Sequence, residues 1–167
     1  MGSGKSTAGR KIAAALRWHF TDLDKVIIEQ QGLTIGEMFE QHGEDYFRDA
    51  ERKALIDISA RSKMVVACGG GTPCNDANIS VMKSTGVLLY LKMTVPALVS
   101  RLLVSKGTRP LLTGIEENGM KAKVEELFAE RSQWYERADI VTDGMNINIE
   151  EITGLLAAHI RDAGAFL

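Results

Sequence analysis

The first seven residues, Met1-Gly2-Ser3-Gly4-Lys5-Ser6-Thr7, are of the types that bind the phosphates of a nucleotide. Gly4-Lys5-Ser6 is the closing half of the signature G-x-x-x-x-G-K-[ST]. In that signature backbone N–H groups and the lysine contact phosphate oxygens, and the hydroxyl ligates Mg²⁺. A helix beginning at about Lys5 adds its positive N-terminal end. The signature's first glycine and its lead-in strand lie outside the chain, so an expression scar before a helix is the alternative.

Two aspartates stand at the end of a predicted strand, Asp22 and Asp24 in the run Thr21-Asp22-Leu23-Asp24. Because side chains alternate along a strand, residues two apart point the same way. Two carboxylates held together repel each other unless a cation joins them. Mg²⁺ and a substrate hydroxyl would supply that reason, while a helix N-cap beside a solvated acid is the structural alternative.

Two arginines have surroundings suited to binding a carboxylate. Arg48 precedes Glu51 by three positions, so the pair shares one helical face and the guanidinium is held as a planar fork. A surface ion pair is the alternative for these two residues. Arg131 falls on the apolar stripe of its helix, where a cation needs an anionic partner. That partner is either an acid of the protein or the substrate.

Glycine and arginine mark two loops. Gly69-Gly70-Gly71 directly follows an apolar strand, and three glycines permit a tight turn whose N–H groups face a ligand. Residues 105–119 show no period and include Arg109-Pro110, so we predict a mobile lid there. An arginine on a lid can neutralise charge on a transferring phosphoryl group. A solvated loop arginine is the alternative.

These residues need a scaffold in which strands and helices alternate. We predict strands over His19–Asp22, Met64–Cys68, Val87–Leu91 and Ile140–Thr142, and helices over Lys5–Leu16, Lys25–Gln31, Thr34–Gly43, Glu44–Ala60, Asp76–Ser84, Pro96–Val104, Met120–Arg137 and Ile149–Ala163. Such alternation predicts an α/β fold with a parallel sheet, whose ligands bind beyond the C-terminal ends of the strands. The aspartates, the glycines and the chain start all fall at such ends or beside the phosphate loop, so one site can collect them.

The composition is that of one ordinary globular domain over 1–167. Hydrophobic residues make up 45% of the chain and charged residues 25%, and the formal net charge is −2. This balance gives no indication of a nucleic-acid or anionic-membrane partner. The sequence has no apolar run approaching the ~18 residues of a membrane span. Its two cysteines flank a turn without zinc spacing. We therefore expect a cytoplasmic protein. We also expect a monomer.

The ordered set of motifs resembles the shikimate kinase family, small P-loop kinases similar in fold to nucleoside-monophosphate kinases. The resemblance covers essentially the whole chain and rests on Gly-Ser-Gly-Lys-Ser-Thr at 2–7, Asp22-Leu23-Asp24, Phe47-Arg48 with Glu51, Gly69–Gly71, Arg109-Pro110-Leu111-Leu112, and Glu130-Arg131 with Tyr135. It implies a three-layer α/β/α fold with strand order 2-3-1-4-5. It also implies transfer of the γ-phosphoryl group of ATP, with Mg²⁺, to the 3-hydroxyl of shikimate, a step toward chorismate and the aromatic amino acids.

The resemblance further implies which residues bind the nucleotide and the metal. Nucleotide contacts would come from Gly2, Ser3, Gly4, Lys5, Ser6 and Thr7, with Arg101 on the adenine side and Arg109 over the phosphates. Ser6 and Asp22 would serve Mg²⁺. Lys5, Asp24 and Arg109 would be the catalytic residues, with Asp24 as the base.

The substrate contacts implied by the resemblance fall largely in the helical region 24–60. Asp24 would bind the hydroxyls of shikimate, and Arg48 and Arg131 would clamp its carboxylate. Gly70 and Gly71 would line the pocket, and Glu51 would orient Arg48.

One departure accompanies the resemblance. The strand expected to lead into the phosphate loop would precede Met1, so its two neighbours would lose backbone partners, at about 1–3 kcal/mol for each buried group. We therefore expect Met1 to be an internal methionine of a longer natural protein, and this chain to be unstable and poorly active. A gluconate-type kinase of the same group and a non-catalytic nucleotide-binding remnant are the alternative interpretations.

Overall fold

The computed structural model describes residues 2–104 and 117–162. Its elements along the chain are α1 (Lys5–Leu16), β1 (His19–Asp22), α2 (Leu23–Gln31), α3 (Ile35–Ser59), β2 (Met64–Ala67), α4 (Asp76–Thr85), β3 (Leu89–Lys92), α5 (Val95–Val104), α6 (Glu117–Tyr135), β4 (Ile140–Asp143) and α7 (Ile149–Asp162). The strands and helices predicted from the sequence are present, with ends shifted by a few residues. Most of the predicted lid at 105–119, including Arg109, lies outside the described residues.

The strands form two parallel pairs. β1 pairs with β2, with His19 opposite Met64, and β3 pairs with β4, with Leu89 opposite Ile140. These are the pairs expected for the second and third strands and for the fourth and fifth strands of the order 2-3-1-4-5. Over the described ranges, β2 and β3 are not paired with each other.

Helices α1 and α7 hold the two strand pairs together. Their residues Ile12 and Ile152 belong to one buried cluster, against which Val65 of β2 and Leu89 of β3 both pack. Burying an aliphatic side chain of this size contributes about 1.5–3 kcal/mol. Gly9 lets α1 approach β1 closely, because a methyl group on it would lie 2.7 Å from the ring of Phe20. This packing places the start of α1 beside the end of β1.

Helices α2 and α3 share one hydrophobic cluster, against which Val66 of β2 and Val81 of α4 also pack. Leu23 and Ile27 of α2 are fully buried against Met38 and Phe47 of α3. Helix α3 is kinked at Gly43, whose φ of 84° lies in the left-handed region that favours glycine. The kink separates the two helices that the sequence predicted here, and the second half carries Arg48 and Glu51.

Helix α3 begins with a capping box. The Thr34 side chain accepts from the N–H of Glu37, and the Glu37 carboxylate accepts from the N–H of Thr34. Both cysteines are free. None of the helices in the described part of the chain is long and apolar enough to cross a membrane.

Candidate functional site

The start of α1 has the features of a phosphate-binding loop. Gly4 precedes the helix with a φ of 81°, in the left-handed region, and Gly2 has a φ of 67°. The N-cap residue Gly4 has no side chain with which to cap the helix, and the first turn contains no acidic residue. The first N–H groups of a helix have no partner within it, and its positive end favours an anion. Lys5, the first residue of α1, adds a cation at this end.

The side chains of Ser6 and Asp22 meet beside this loop. The Ser6 hydroxyl donates to Oδ2 of Asp22 at 2.7 Å. Asp22 ends β1 and occupies the N-cap position of α2, yet its side chain makes no capping hydrogen bond. The carboxylate therefore faces Ser6 and not the start of its own helix. A hydroxyl and a carboxylate are oxygen ligands of the kind that Mg²⁺ prefers.

Asp24 is close to Asp22, but strand alternation, the reason that we predicted from the sequence, does not bring them together. Asp24 lies in the first turn of α2 and not on the strand, so strand alternation does not set its direction. Burial, together with the charges of Asp22 and Glu51, raises the pKa of the Asp24 carboxyl, while Lys5 and Arg48 act to lower it. Asp24 is therefore within electrostatic reach of both the phosphate loop and α3.

The glycine turn after β2 contacts three parts of the site. A methyl group on Gly69 would lie 3.2 Å from the Glu51 carboxylate and 3.3 Å from that of Asp24. The carbonyl of Gly70 accepts a hydrogen bond from the Tyr135 hydroxyl at 2.6 Å. Because its glycines have no side chains, the turn can lie close to Asp24 of α2, Glu51 of α3 and Tyr135 of α6.

Arg48 is held by two acids of its own helix. Its Nη1 donates to Oε2 of Glu51 at 2.9 Å, which confirms the predicted pair. Its Nη2 and Nε both donate to Oε1 of Glu44, at 2.8 Å and 3.1 Å. Burial acts to lower the pKa of the Arg48 guanidinium, but Glu51 and Glu44 raise it above its ordinary value. The guanidinium therefore stays charged.

Arg48 and Arg131 line the same cavity, of about 300 Å³. Among the other residues that line it are Glu44, Gly71, Cys74, Glu130 and Trp134. Within the described ranges Arg131 makes no ion pair, in contrast to Arg48. It acts instead on Tyr135: burial raises the pKa of that phenol to about 12, and Arg131 acts to lower it.

A buried polar chain behind Arg48 was not predicted. The Thr72 hydroxyl donates to Oε1 of Glu51 at 2.7 Å, and the Asn78 side-chain amide donates to the Thr72 carbonyl at 2.9 Å. Thr72 is 0% exposed and Glu51 1% exposed. Thr72 and Glu51 are 21 positions apart, so no local spacing rule links them. Glu44, by contrast, precedes Arg48 by four positions, a spacing at which two residues share one helical face.

Of the two arginines predicted to contact the nucleotide, Arg101 lies in the described part of the chain and Arg109 does not. Arg101 lies beside the phosphate loop, because a methyl group on Gly4 would lie 3.5 Å from its Nη1. The sulfur atoms of Met93 and Met145 are its hydrogen-bond partners, at 3.5 Å and 4.0 Å. Arg109 is outside the described residues, so its placement stays a prediction. Ser3 and Thr7 lie on the loop and the first turn of α1.

Comparisons with known proteins agree on one family. The family model for shikimate kinase matches residues 1–160. A shikimate kinase from Caldanaerobacter subterraneus subsp. tengcongensis is 36% identical over 165 residues, covering 98% of this chain and 94% of the relative. One from Chloroherpeton thalassium is 40% identical over 170 residues, covering 95% and 89%. The solved structure of a shikimate kinase from Acinetobacter baumannii in complex with shikimate superposes with a TM-score of 0.85 at 30% identity, covering 98% of this chain and 89% of that one.

Proposed function

The chain belongs to the shikimate kinase family, and we propose how its residues transfer the γ-phosphoryl group of ATP to the 3-hydroxyl of shikimate. This reaction is a step of aromatic amino-acid biosynthesis. The observation that carries the proposal is that Arg48 and Arg131 line one cavity, while Asp24 is within electrostatic reach of both Lys5 and Arg48. A carboxylate site and a phosphate site would thus be joined by one half-buried acid, Asp24.

The nucleotide would bind at the start of α1. Lys5 and the backbone N–H groups after Gly4 would hold the β- and γ-phosphates, because the glycine at the N-cap contributes no side chain to this helix end and the end favours an anion. Gly2, Ser3, Ser6 and Thr7 would complete the loop. Arg101, beside Gly4, would lie on the adenine side. Phosphoryl transfer depends mainly on positioning and on neutralising charge, which these groups supply.

Ser6 and Asp22 fit the Mg²⁺ that accompanies ATP. Their oxygens converge to 2.7 Å, and Mg²⁺ in kinase sites takes one or two protein oxygens together with phosphates and waters. Once bound, the ion would neutralise negative charge on the phosphate oxygens. Removal of Mg²⁺ by chelation is expected to abolish turnover without unfolding the protein, because the core clusters of the described residues consist of apolar side chains.

The substrate would bind between α3, the glycine turn and α6. Shikimate carries one carboxylate and vicinal hydroxyls, so two arginines and an acid complement it. Arg48 and Arg131 would bind the carboxylate, with Gly70 and Gly71 lining the pocket. Asp24 would accept the proton of the 3-hydroxyl. Its raised pKa, caused by burial and neighbouring carboxylates, suits a group that must take up a proton.

The assay that tests this assignment is ADP release with shikimate or gluconate as the acceptor. Wild-type protein should turn over with shikimate only. Arg131→Ala should raise the KM for shikimate about ten- to hundredfold, the loss expected for a hydrogen bond to a charged group. Arg52→Ala, an exposed arginine on α3, is the matched control and should leave this KM unchanged.

An unchanged KM in Arg131→Ala would remove this arginine from the site. Turnover with gluconate but not with shikimate would refute the assignment of shikimate as the substrate.

Closure of Arg109 over the phosphates, a cytoplasmic location and a monomeric state are further proposals from the sequence. Arg109→Ala kinetics, cell fractionation and light scattering would test them in turn.

A further inference from the structure

The two arginines of the cavity differ in how their charge is used. Arg48 donates to two carboxylates, those of Glu51 and Glu44. Arg131 pairs with no carboxylate among the residues that the structure describes. An anion that enters the cavity therefore meets Arg131, which has no carboxylate partner among the described residues, and Arg48, which already has two.

The two acids on Arg48 also differ from each other. Glu51 is buried, and its second oxygen accepts from Thr72, so it is fixed from behind. The Glu44 side chain is 53% exposed, and within the described part of the chain it accepts hydrogen bonds only from nitrogens of Arg48. Glu44 directly follows Gly43, at which α3 is kinked. Of the two acids, Glu44 is the one that can leave.

Glu44 occupies the part of the guanidinium that a substrate carboxylate would need. Its Oε1 accepts from both Nε and Nη2 of Arg48, an edge that offers two parallel donors to a carboxylate. The remaining nitrogen, Nη1, is held by Glu51. The Nη1–Nη2 end lies against Gly71, on which a methyl group would be 2.8 Å and 2.9 Å from these atoms. A second carboxylate can pair with two donors of Arg48 only where Glu44 now lies.

We propose that Glu44 competes with the substrate for Arg48. In the empty cavity the Glu44 carboxylate occupies the position of the shikimate carboxylate, and shikimate displaces it on binding. The inference rests on the proposed function, because it requires Arg48 to bind that carboxylate. Glu44 keeps the guanidinium paired in the empty cavity, and it weakens shikimate binding by the cost of its own displacement. Glu44 is thus a residue that sets substrate affinity without contacting the reacting atoms.

The test is the affinity of Glu44→Gln and Glu44→Ala for shikimate. Binding can be followed by the fluorescence of Trp134, which lines the cavity, and KM by ADP release. Both variants should bind shikimate about two- to fivefold more tightly, the gain expected from removing an exposed ion pair. The kcat and the KM for ATP should not change. Asp45→Asn removes the same charge from the adjacent exposed residue and should leave shikimate affinity unchanged.

Two results would overturn the inference. Unchanged shikimate affinity in both Glu44 variants would show that the acid is not displaced, and weaker affinity would show that it positions Arg48 for the substrate. Arg48→Ala and Arg131→Ala, measured alongside, separate this failure from that of the proposed function. If these two variants lose affinity and the Glu44 variants gain none, only the competitor role is wrong. If the arginine variants bind shikimate normally, the carboxylate clamp is wrong and the competitor role with it.

Discussion

Replacing Thr72 by Val tests the buried polar chain that holds Arg48 in place. Thr72 is 0% exposed, and its hydroxyl is 2.7 Å from Oε1 of Glu51. Valine has nearly the same shape but offers no donor, so the buried Glu51 carboxylate loses one hydrogen bond and gains no water in exchange. The backbone contact from Asn78 to the Thr72 carbonyl is unaffected by the change.

The expected cost follows from the charge and the burial of Glu51. Hydrogen bonds to charged groups contribute about 1.5–3 kcal/mol, and leaving a buried acceptor unsatisfied costs a similar amount. We expect Thr72→Val to lower the free energy of unfolding by about 2–3 kcal/mol. For a chain of this length the melting temperature should fall by about 4–12 °C. The KM for shikimate should also rise about two- to fivefold, because Glu51 then fixes Arg48 less firmly.

Urea unfolding and ADP-release kinetics measure both effects. Thr153→Val is the matched control, because among the described residues the Thr153 hydroxyl donates only to carbonyl groups of its own helix. It should change the free energy of unfolding by less than about 0.5 kcal/mol. If Thr72→Val is as stable as this control, the hydroxyl does not stabilise Glu51 and the reasoning fails. The Thr72→Val effect should also shrink in a Glu51→Gln background, since the two residues then share one interaction.

Two further substitutions test the base and the glycine turn. Asp24→Asn should lower kcat at least about a hundredfold and stabilise the fold at about pH 7, because the raised pKa of Asp24 means that its ionised form costs stability as pH rises. Urea unfolding should show this gain vanishing at acid pH, where wild-type Asp24 is protonated; a variant less stable at neutral pH would contradict it. Tyr135→Phe removes the hydrogen bond to Gly70 and should raise the shikimate KM about two- to tenfold at constant ATP KM. An unchanged shikimate KM would exclude a positioning role.

The parts of the site that the sequence could predict are local in the chain. Gly4-Lys5-Ser6 forms one turn, and Arg48 with Glu51 is one helical spacing, so residue types and short-range geometry suffice to find them. The parts that it could not predict join distant segments. Thr72 reaches Glu51 across 21 positions, and Tyr135 reaches Gly70 across 65. The sequence does not indicate which group a Thr or Tyr hydroxyl will bind. That partner can be identified only once the packing of α3 and α6 on the glycine turn is known.

Strand prediction shows the same division. The four strands can be predicted from the composition and length of their segments. Their pairing as β1–β2 and β3–β4 follows from the strand order expected for the family. The direction of the Asp24 side chain could not be predicted from the sequence. It depends on whether the chain after Asp22 is still extended or already helical. The structure begins α2 at Leu23. Asp24 therefore faces the site from a helix, at a spacing that strand alternation cannot give.

Glu44 and Glu51 are the same residue type on one helix, and both hold Arg48, yet their expected effects on shikimate affinity have opposite signs. The difference comes from their surroundings. Glu51 is 1% exposed and bound to Thr72, so removing its charge leaves a half-buried guanidinium with a looser position. Glu44 is 53% exposed, so water solvates its carboxylate at little cost when a substrate carboxylate displaces it from Arg48. A buried partner fixes the arginine, and an exposed partner competes for it.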